Sequence, residues 1–228
     1  MLIYCLKIAS VAVKLKACLI QTVERVRMDS GLKGLWNVVL SGYPRSGKTS
    51  LAKRLVADFP YFARVSVDEL REMFFYETYP CRDEFLVYSM IAEIRDALLQ
   101  KGYSVVIDST APDNVTRQFL LTSKVMIANS LLVVLNVEKE ILIERSIKKF
   151  GSEKPIAAYD KRWENPKGGI AVFKFKSNTP AEFEAYYARL KELLESETHP
   201  FKPEFHPTPS PLKEIRKALE NLLKKRSS

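Results

Sequence analysis

The sequence predicts an α/β protein, a five-stranded parallel sheet between two helical layers, and three observations predict it. Short apolar runs alternate with helical periodicities from residue 37 onward. The central runs are apolar at consecutive positions, as parallel strands covered on both faces by helices should be. The composition is that of a folded chain: 228 residues, 46% hydrophobic and 28% charged, with 8 Gly and 12 Pro. Collagen-like, low-complexity and wholly disordered classes are thereby excluded. One domain with terminal extensions accounts for the length.

Asn37–Ser41 (NVVLS) is the first expected strand, bounded by Gly34 and Gly42. A helix follows from Gly47 to about Phe59, with Leu51, Leu55 and Val56 on its inner face and Pro60 beyond its end. Arg64–Val67 is the second strand, and helical patterns cover Asp68–Phe75 and Asp83–Gln100. After Gly102, Tyr103–Ile107 (YSVVI) is an apolar strand that ends at Asp108. A helix over Asp113–Ala128, a strand over Leu131–Val137 and a helix over Glu138–Phe150 come next. Residues 151–170 read as a polar loop with Lys154, Lys161 and Arg162. Ala171–Phe175 is the last strand, and Ala181–Glu195 is a helix that Pro180 can start.

The flanks differ from this body. Lys7, Lys14 and Lys16 interrupt the apolar stretch of residues 1–28, so it suits neither a bilayer span nor a secretory signal. What remains is a docked amphipathic helix, a helix on a membrane surface, or an upstream extension of a protein that starts at Met28, and the first and third are favoured. The segment from His199 to Pro211 holds five prolines and reads as a linker before a basic helix over Leu212–Lys225. The expected organisation is a helical extension over 1–36, one domain over 37–198 with a lid at about 145–170, and a tail over 199–228. Residues 1–36 and 202–228 each carry a charge of +4, and the rest only +1 of the total +9. Basic flanks suit a nucleic-acid partner, although they serve equally as solubilising surface. Three cysteines and two histidines, without metal-type spacing, argue against a disulfide scaffold or structural zinc. The expected location is cytoplasmic, with no membrane partner.

Residues 42–49, Gly-Tyr-Pro-Arg-Ser-Gly-Lys-Thr, match the P-loop pattern and lie between an expected strand and an expected helix. Gly42 and Gly47 permit the backbone turn that points successive N–H groups inward at phosphate. The helix N-terminus adds its partial positive charge. The reading assigns ATP or GTP to Gly42, Tyr43, Pro44, Arg45, Ser46, Gly47, Lys48, Thr49 and Ser50. Lys48 would reach the β- and γ-phosphates, and the Thr49 hydroxyl would bind Mg²⁺.

Two aspartates stand at expected strand ends on the same side of the sheet. Asp108 reads as a second Mg²⁺ holder, or as a cap of the following turn. Asp68 and Arg71, three residues apart, can share the first turn of a helix. As catalytic groups, Asp68 would take a proton from an attacking hydroxyl and Arg71 would hold an anion; as structure, they would be an N-cap with a surface ion pair. Arg145, with Lys148 and Lys149, could neutralise transferring phosphate, whereas the two lysines equally suit a solvated helix C-terminus.

Taken together, GYPRSGKT, SVDELR at 66–71, GYSVVIDST at 102–110 and VVLNVEKEILIERSIKKF at 133–150 resemble the P-loop kinases. The group contains polynucleotide 5′-hydroxyl kinases, seryl-tRNA kinases, zeta-toxin-like kinases and chloramphenicol phosphotransferases. The likeness covers about residues 37–150 and extends to RWENP at 162–166. It implies a three-layer P-loop NTPase fold of the nucleoside-kinase-like kind, with an AAA-type ATP-binding domain. It also implies transfer of the γ-phosphoryl group of ATP, with Mg²⁺, to a hydroxyl. By resemblance Asp68 is the general base, Arg71 binds an acceptor phosphate, Asp108 is the strand-end aspartate and Arg145 is the lid arginine. The expected acceptor is an RNA or DNA end or an aminoacyl-tRNA, and the alternative is a small molecule. Two further alternatives are a nucleotide-driven switch and an RNA-binding module on a vestigial kinase fold.

Overall fold

The computed structural model describes residues 34–125 and 128–196. The extension over 1–28, the proline-rich linker and the basic helix over Leu212–Lys225 lie outside them. Five strands are present: β1 (Leu35–Gly42), β2 (Phe62–Ser66), β3 (Ser104–Asp108), β4 (Ala128–Asn136) and β5 (Val172–Lys176). They form one sheet in the order β2-β3-β1-β4-β5, and every pairing is parallel. The chain leaves the central β1 toward β2 and β3, then crosses to β4 and β5. This reversal opens a crevice at the carboxyl end of β1, where open α/β sheets bind ligands.

Alternation along each strand builds two cores. Trp36, Val38 and Leu40 of β1 face α1 (Lys48–Asp58) and α7 (Pro180–Glu195), meeting Leu51, Leu55, Leu190 and Leu194. Leu35 and Val39 face the other way, toward α2 (Val67–Phe75), α3 (Glu84–Gln100) and α4 (Asn114–Leu121). Val87, Ile91, Leu120 and Leu121 cover that side. This is the expected three-layer P-loop NTPase architecture. Two further helices, α5 (Lys139–Phe150) and α6 (Lys154–Asp160), follow β4.

The helix expected over Asp113–Ala128 stops at Leu121, and polar side chains explain the stop. Asn37 Nδ2 donates to the carbonyls of Leu120 (3.0 Å) and Leu121 (3.2 Å). Arg95 Nη1 donates to Leu120 (2.8 Å), and Ser130 Oγ to Leu121 (2.9 Å). Carbonyls that a longer helix would bond internally are thus taken by side chains from the sheet and α3. The segment over 151–170 is not a plain loop, since α6 forms where Pro155 can open a helix and Ile156 and Tyr159 face inward.

Candidate functional site

The turn after β1 is shaped by its glycines. A Cβ on Gly42 would lie 2.9 Å from the Leu135 carbonyl, and φ at Gly47 is +99°. Neither position tolerates an ordinary side chain. Gly47 also serves as the N-cap of α1 and provides no side-chain cap, which leaves the first N–H groups of the helix directed into the crevice without a side-chain partner. Lys48 is buried, and its Nζ donates to the carbonyls of Gly42 (3.0 Å) and Tyr43 (2.7 Å). Burial pushes its ammonium down to about 8, against the opposing pull of Asp108 and Asp68. Thr49 and Ser50 are exposed at the mouth.

Asp108 ends β3 and is buried. Arg64 of β2 donates to its Oδ2 through Nε (3.0 Å) and Nη2 (2.7 Å), and through Nη1 to Glu69 Oε1 (2.6 Å). Asp108 does not cap the next helix, because Asp113 does, accepting from the Thr116 N–H (2.7 Å). Nor does Asp68 cap α2: Ser66 Oγ accepts from Glu69 N–H (3.3 Å). Neither aspartate therefore caps a helix, although each is held in an ion pair, Asp108 with Arg64 and Asp68 with Arg71.

Arg71 Nη1 donates to Asp68 Oδ1 within the first turns of α2. The Arg71 side chain is 5% exposed and that of Asp68 80%, so a buried cation holds an open carboxylate. Glu84 fixes the arginine from the other side, accepting from Nε (2.9 Å) and Nη2 (2.8 Å). Burial opposes the charge of Arg71, but the Glu84 hydrogen bonds and nearby carboxylates outweigh it and raise its pKa.

Arg145 reaches the P-loop from α5. Its Nη2 donates to the carbonyls of Ser177 and Asn178 (both 3.0 Å), and its Nη1 to that of Arg45 (3.4 Å). It lines a cleft of about 470 Å³ with Gly47, Lys48, Thr49, Ser177 and Phe183. Neither Asp68 nor Asp108 lines that cleft. Lys148 and Lys149 are exposed at the end of α5.

Several residues at the site were missed by sequence reasoning. Glu84 was readable only as an acid in the first turn of a helix, and Arg64 only as a charge inside a short strand. Tyr43 belongs to the P-loop, but its ring lies 4.7 Å from Tyr159 and 5.3 Å from Trp163. Its hydroxyl donates to Asp160 Oδ1 (2.9 Å). Arg162 sits with its Cζ 4.2 Å from the centre of the Tyr79 ring, and the Arg71 Cζ lies 5.2 Å from the same centre.

Residues 38–170 match the family described as AAA domain. The chain belongs to this AAA-domain family. The match covers β1 from Val38 onward, the P-loop, Asp68, Asp108 and the segment around α6. Among solved structures, the AAA domain is similar to a gluconokinase from Sinorhizobium meliloti 1021. The two are 20% identical with a TM-score of 0.51, over 71% of this chain and 97% of that one. A sugar kinase from Janibacter sp. HTCC2649 is 17% identical with a TM-score of 0.56, over 72% of this chain and 99% of that one. The Mycobacterium tuberculosis APS kinase CysC, solved with AMPPNP and APS, is 18% identical with a TM-score of 0.55, over 72% and 99%. These likenesses show that the chain shares the fold of these kinases. They do not single out the polynucleotide-kinase and zeta-toxin-like group that the motifs resemble. No curated protein matches the sequence. Among the described residues, no helix is long and apolar enough to cross a membrane.

Proposed function

We propose that this AAA-domain protein is an ATP-dependent kinase that transfers the γ-phosphoryl group to a hydroxyl of a small-molecule acceptor. The observation that carries the reading is the pairing of two features. A glycine-framed loop holds a buried lysine, and an exposed carboxylate is held by a buried, doubly bonded arginine. The first suits a triphosphate and the second an acceptor hydroxyl.

In this reading Lys48 exchanges its carbonyl partners for phosphate oxygens. Asp68 accepts the proton of the acceptor hydroxyl as the new oxygen–phosphorus bond forms and the bond to ADP breaks. Arg71 keeps that carboxylate in place, and Glu84 keeps Arg71 in place. Thr49 and Asp108 are suited to hold Mg²⁺, which supplies charge neutralisation at the phosphates. The donor set supports this, because Arg64 takes only Oδ2 of Asp108 and leaves Oδ1 without a hydrogen-bond partner among the described residues. Arg145, beside Gly47 and Ser177, binds the nucleotide from the cleft and contributes positive charge to the phosphates.

A small-molecule acceptor is favoured over a nucleic-acid end because the similar structures include a gluconokinase, a sugar kinase and an APS kinase. The basic flanks that suggested RNA or DNA lie outside the described residues. The test is incubation with γ-labelled ATP and Mg²⁺, offering sugars, sugar acids, nucleosides and oligonucleotides with a free 5′-hydroxyl. Label on a small molecule supports the proposal. Label on the oligonucleotide alone would replace it with the nucleic-acid reading, and label in free phosphate alone would favour a nucleotide switch.

A further inference from the structure

Residues 154–167 form a strap that begins with α6 and ends beyond Trp163, and its ties to the domain are unusually specific. Tyr159 OH donates to the Thr110 carbonyl at the foot of the P-loop. The Glu164 N–H donates to the Pro112 carbonyl (2.9 Å), while Arg117 Nη1 donates to the Glu164 carbonyl (2.6 Å). The Arg117 guanidinium also lies 4.5 Å from the Trp163 ring centre. Lys139 Nζ donates to Asp160 Oδ2 (2.6 Å), leaving Oδ1 for Tyr43.

One P-loop residue therefore performs two tasks. The Tyr43 carbonyl accepts from Lys48 Nζ (2.7 Å), while its ring packs on Tyr159 and Trp163. One position before Trp163, Arg162 reaches the Tyr79 ring, which Arg71 also approaches. The strap thus joins the nucleotide loop to Tyr79, the ring that Arg71 of the acceptor pair also approaches.

We propose that Tyr43 is a positioning residue that clasps residues 154–167 across the strip between the P-loop and the acceptor pair, and so keeps water from competing with the acceptor hydroxyl. The proposal rests on the kinase reading above and goes beyond it. In the reaction to be suppressed, a water oxygen bonds to the γ-phosphorus as the bond to the β-phosphate oxygen of ADP breaks. The products are ADP, inorganic phosphate and a proton. Removing the ring deletes two aromatic contacts and the Asp160 hydrogen bond, and leaves the glycines and Lys48 in place. Aromatic pairs of this kind each favour a closed arrangement by about threefold to tenfold.

The two tryptophans make the clasp measurable. Trp36 is 1% exposed and shielded from a soluble quencher, so quenching by acrylamide reports on Trp163. In nucleotide-free protein, Tyr43→Leu should raise the quenchable emission, while Tyr43→Phe, which keeps the ring, should stay close to wild type. With Mg·ATP and no acceptor, release of inorganic phosphate should rise about tenfold in Tyr43→Leu and far less in Tyr43→Phe. Unchanged quenching in Tyr43→Leu would overturn the clasp. More quenching without faster phosphate release would overturn its role in excluding water. Wild-type protein that binds no ATP sinks the kinase reading, whereas normal ATP binding with unchanged release in Tyr43→Leu sinks this one.

Discussion

The two flanks of the P-loop are built in opposite ways. On the α7 side, Gly47, Ser177 and Phe183 border a cleft of about 470 Å³, with Arg145 held at its rim by backbone carbonyls. On the strap side, Tyr43, Tyr159 and Trp163 fill the space with ring against ring, backed by the buried Arg117. The open flank suits the part of the nucleotide that must enter and leave each cycle. On the proposed kinase reading, the packed flank borders, through the Tyr79 ring, the Asp68–Arg71 pair, where a stray water would cost a phosphoryl group. The proposed reading places exchange on one side of the loop and exclusion on the other, and substitutions on each side should separate the two.

The largest effect belongs to the residue shared by both flanks. Lys48→Ala should reduce phosphoryl transfer by a factor of about 10³ or more and weaken nucleotide binding, since it removes the cation that meets the developing charge. Single-turnover transfer and equilibrium binding measure the two losses. Retention of full transfer would detach the P-loop from catalysis.

Arg117→Ala should be felt chiefly as lost stability on the packed flank. The side chain is fully buried, and its donors serve Ser41 Oγ and the carbonyls of Ala111 (3.0 Å), Pro112 (2.8 Å) and Glu164 (2.6 Å). Leaving these acceptors unpaired should cost about 3 kcal/mol or more. Denaturant unfolding would measure it, and a loss well below 1 kcal/mol would mean that water replaces the guanidinium without penalty.

Asp68→Asn sharpens the same contrast from the acceptor side. The substitution preserves shape and removes the proton acceptor, so turnover should fall roughly 10²-fold while ATP affinity is spared. A matching loss of ATP affinity would place Asp68 with the nucleotide rather than with the acceptor.

These residues also mark how far the sequence could be read. The P-loop was legible because its eight residues are consecutive and its neighbours carry strand and helix patterns. Asp68 and Arg71 were legible because a helix turn joins positions three apart. Partnerships across the sheet were not: Arg64 and Asp108 are 44 residues apart, and Tyr43 and Asp160 are 117 apart. No local pattern encodes which distant side chains meet. Element boundaries failed for the same reason. The last turn of α4 ends where Asn37 and Arg95, remote in sequence, take its carbonyls. In α6 only Ile156 and Tyr159 are buried over seven residues, too short a stretch for a helical period to stand out.

The smallest expected effect is a pH dependence on the open flank, and its sign follows from Lys48. In the nucleotide-free protein, burial holds its pKa at about 8, below the ordinary value of 10.5. Without ligand, the unfolded chain binds this proton more readily than the folded one between those two values. Through this group, stability should therefore rise with pH over that window. Phosphate oxygens favour the charged ammonium and raise its pKa on binding, so nucleotide binding should take up a proton above pH 8. Affinity should be nearly constant below pH 8 and decline above it, by at most about tenfold per pH unit. Calorimetric titration with ADP in two buffers of different ionisation enthalpy reads the proton uptake directly. Lys48→Met, which has no ammonium to titrate, should bind weakly with no such uptake, and an equal uptake in that variant would assign the proton to another group.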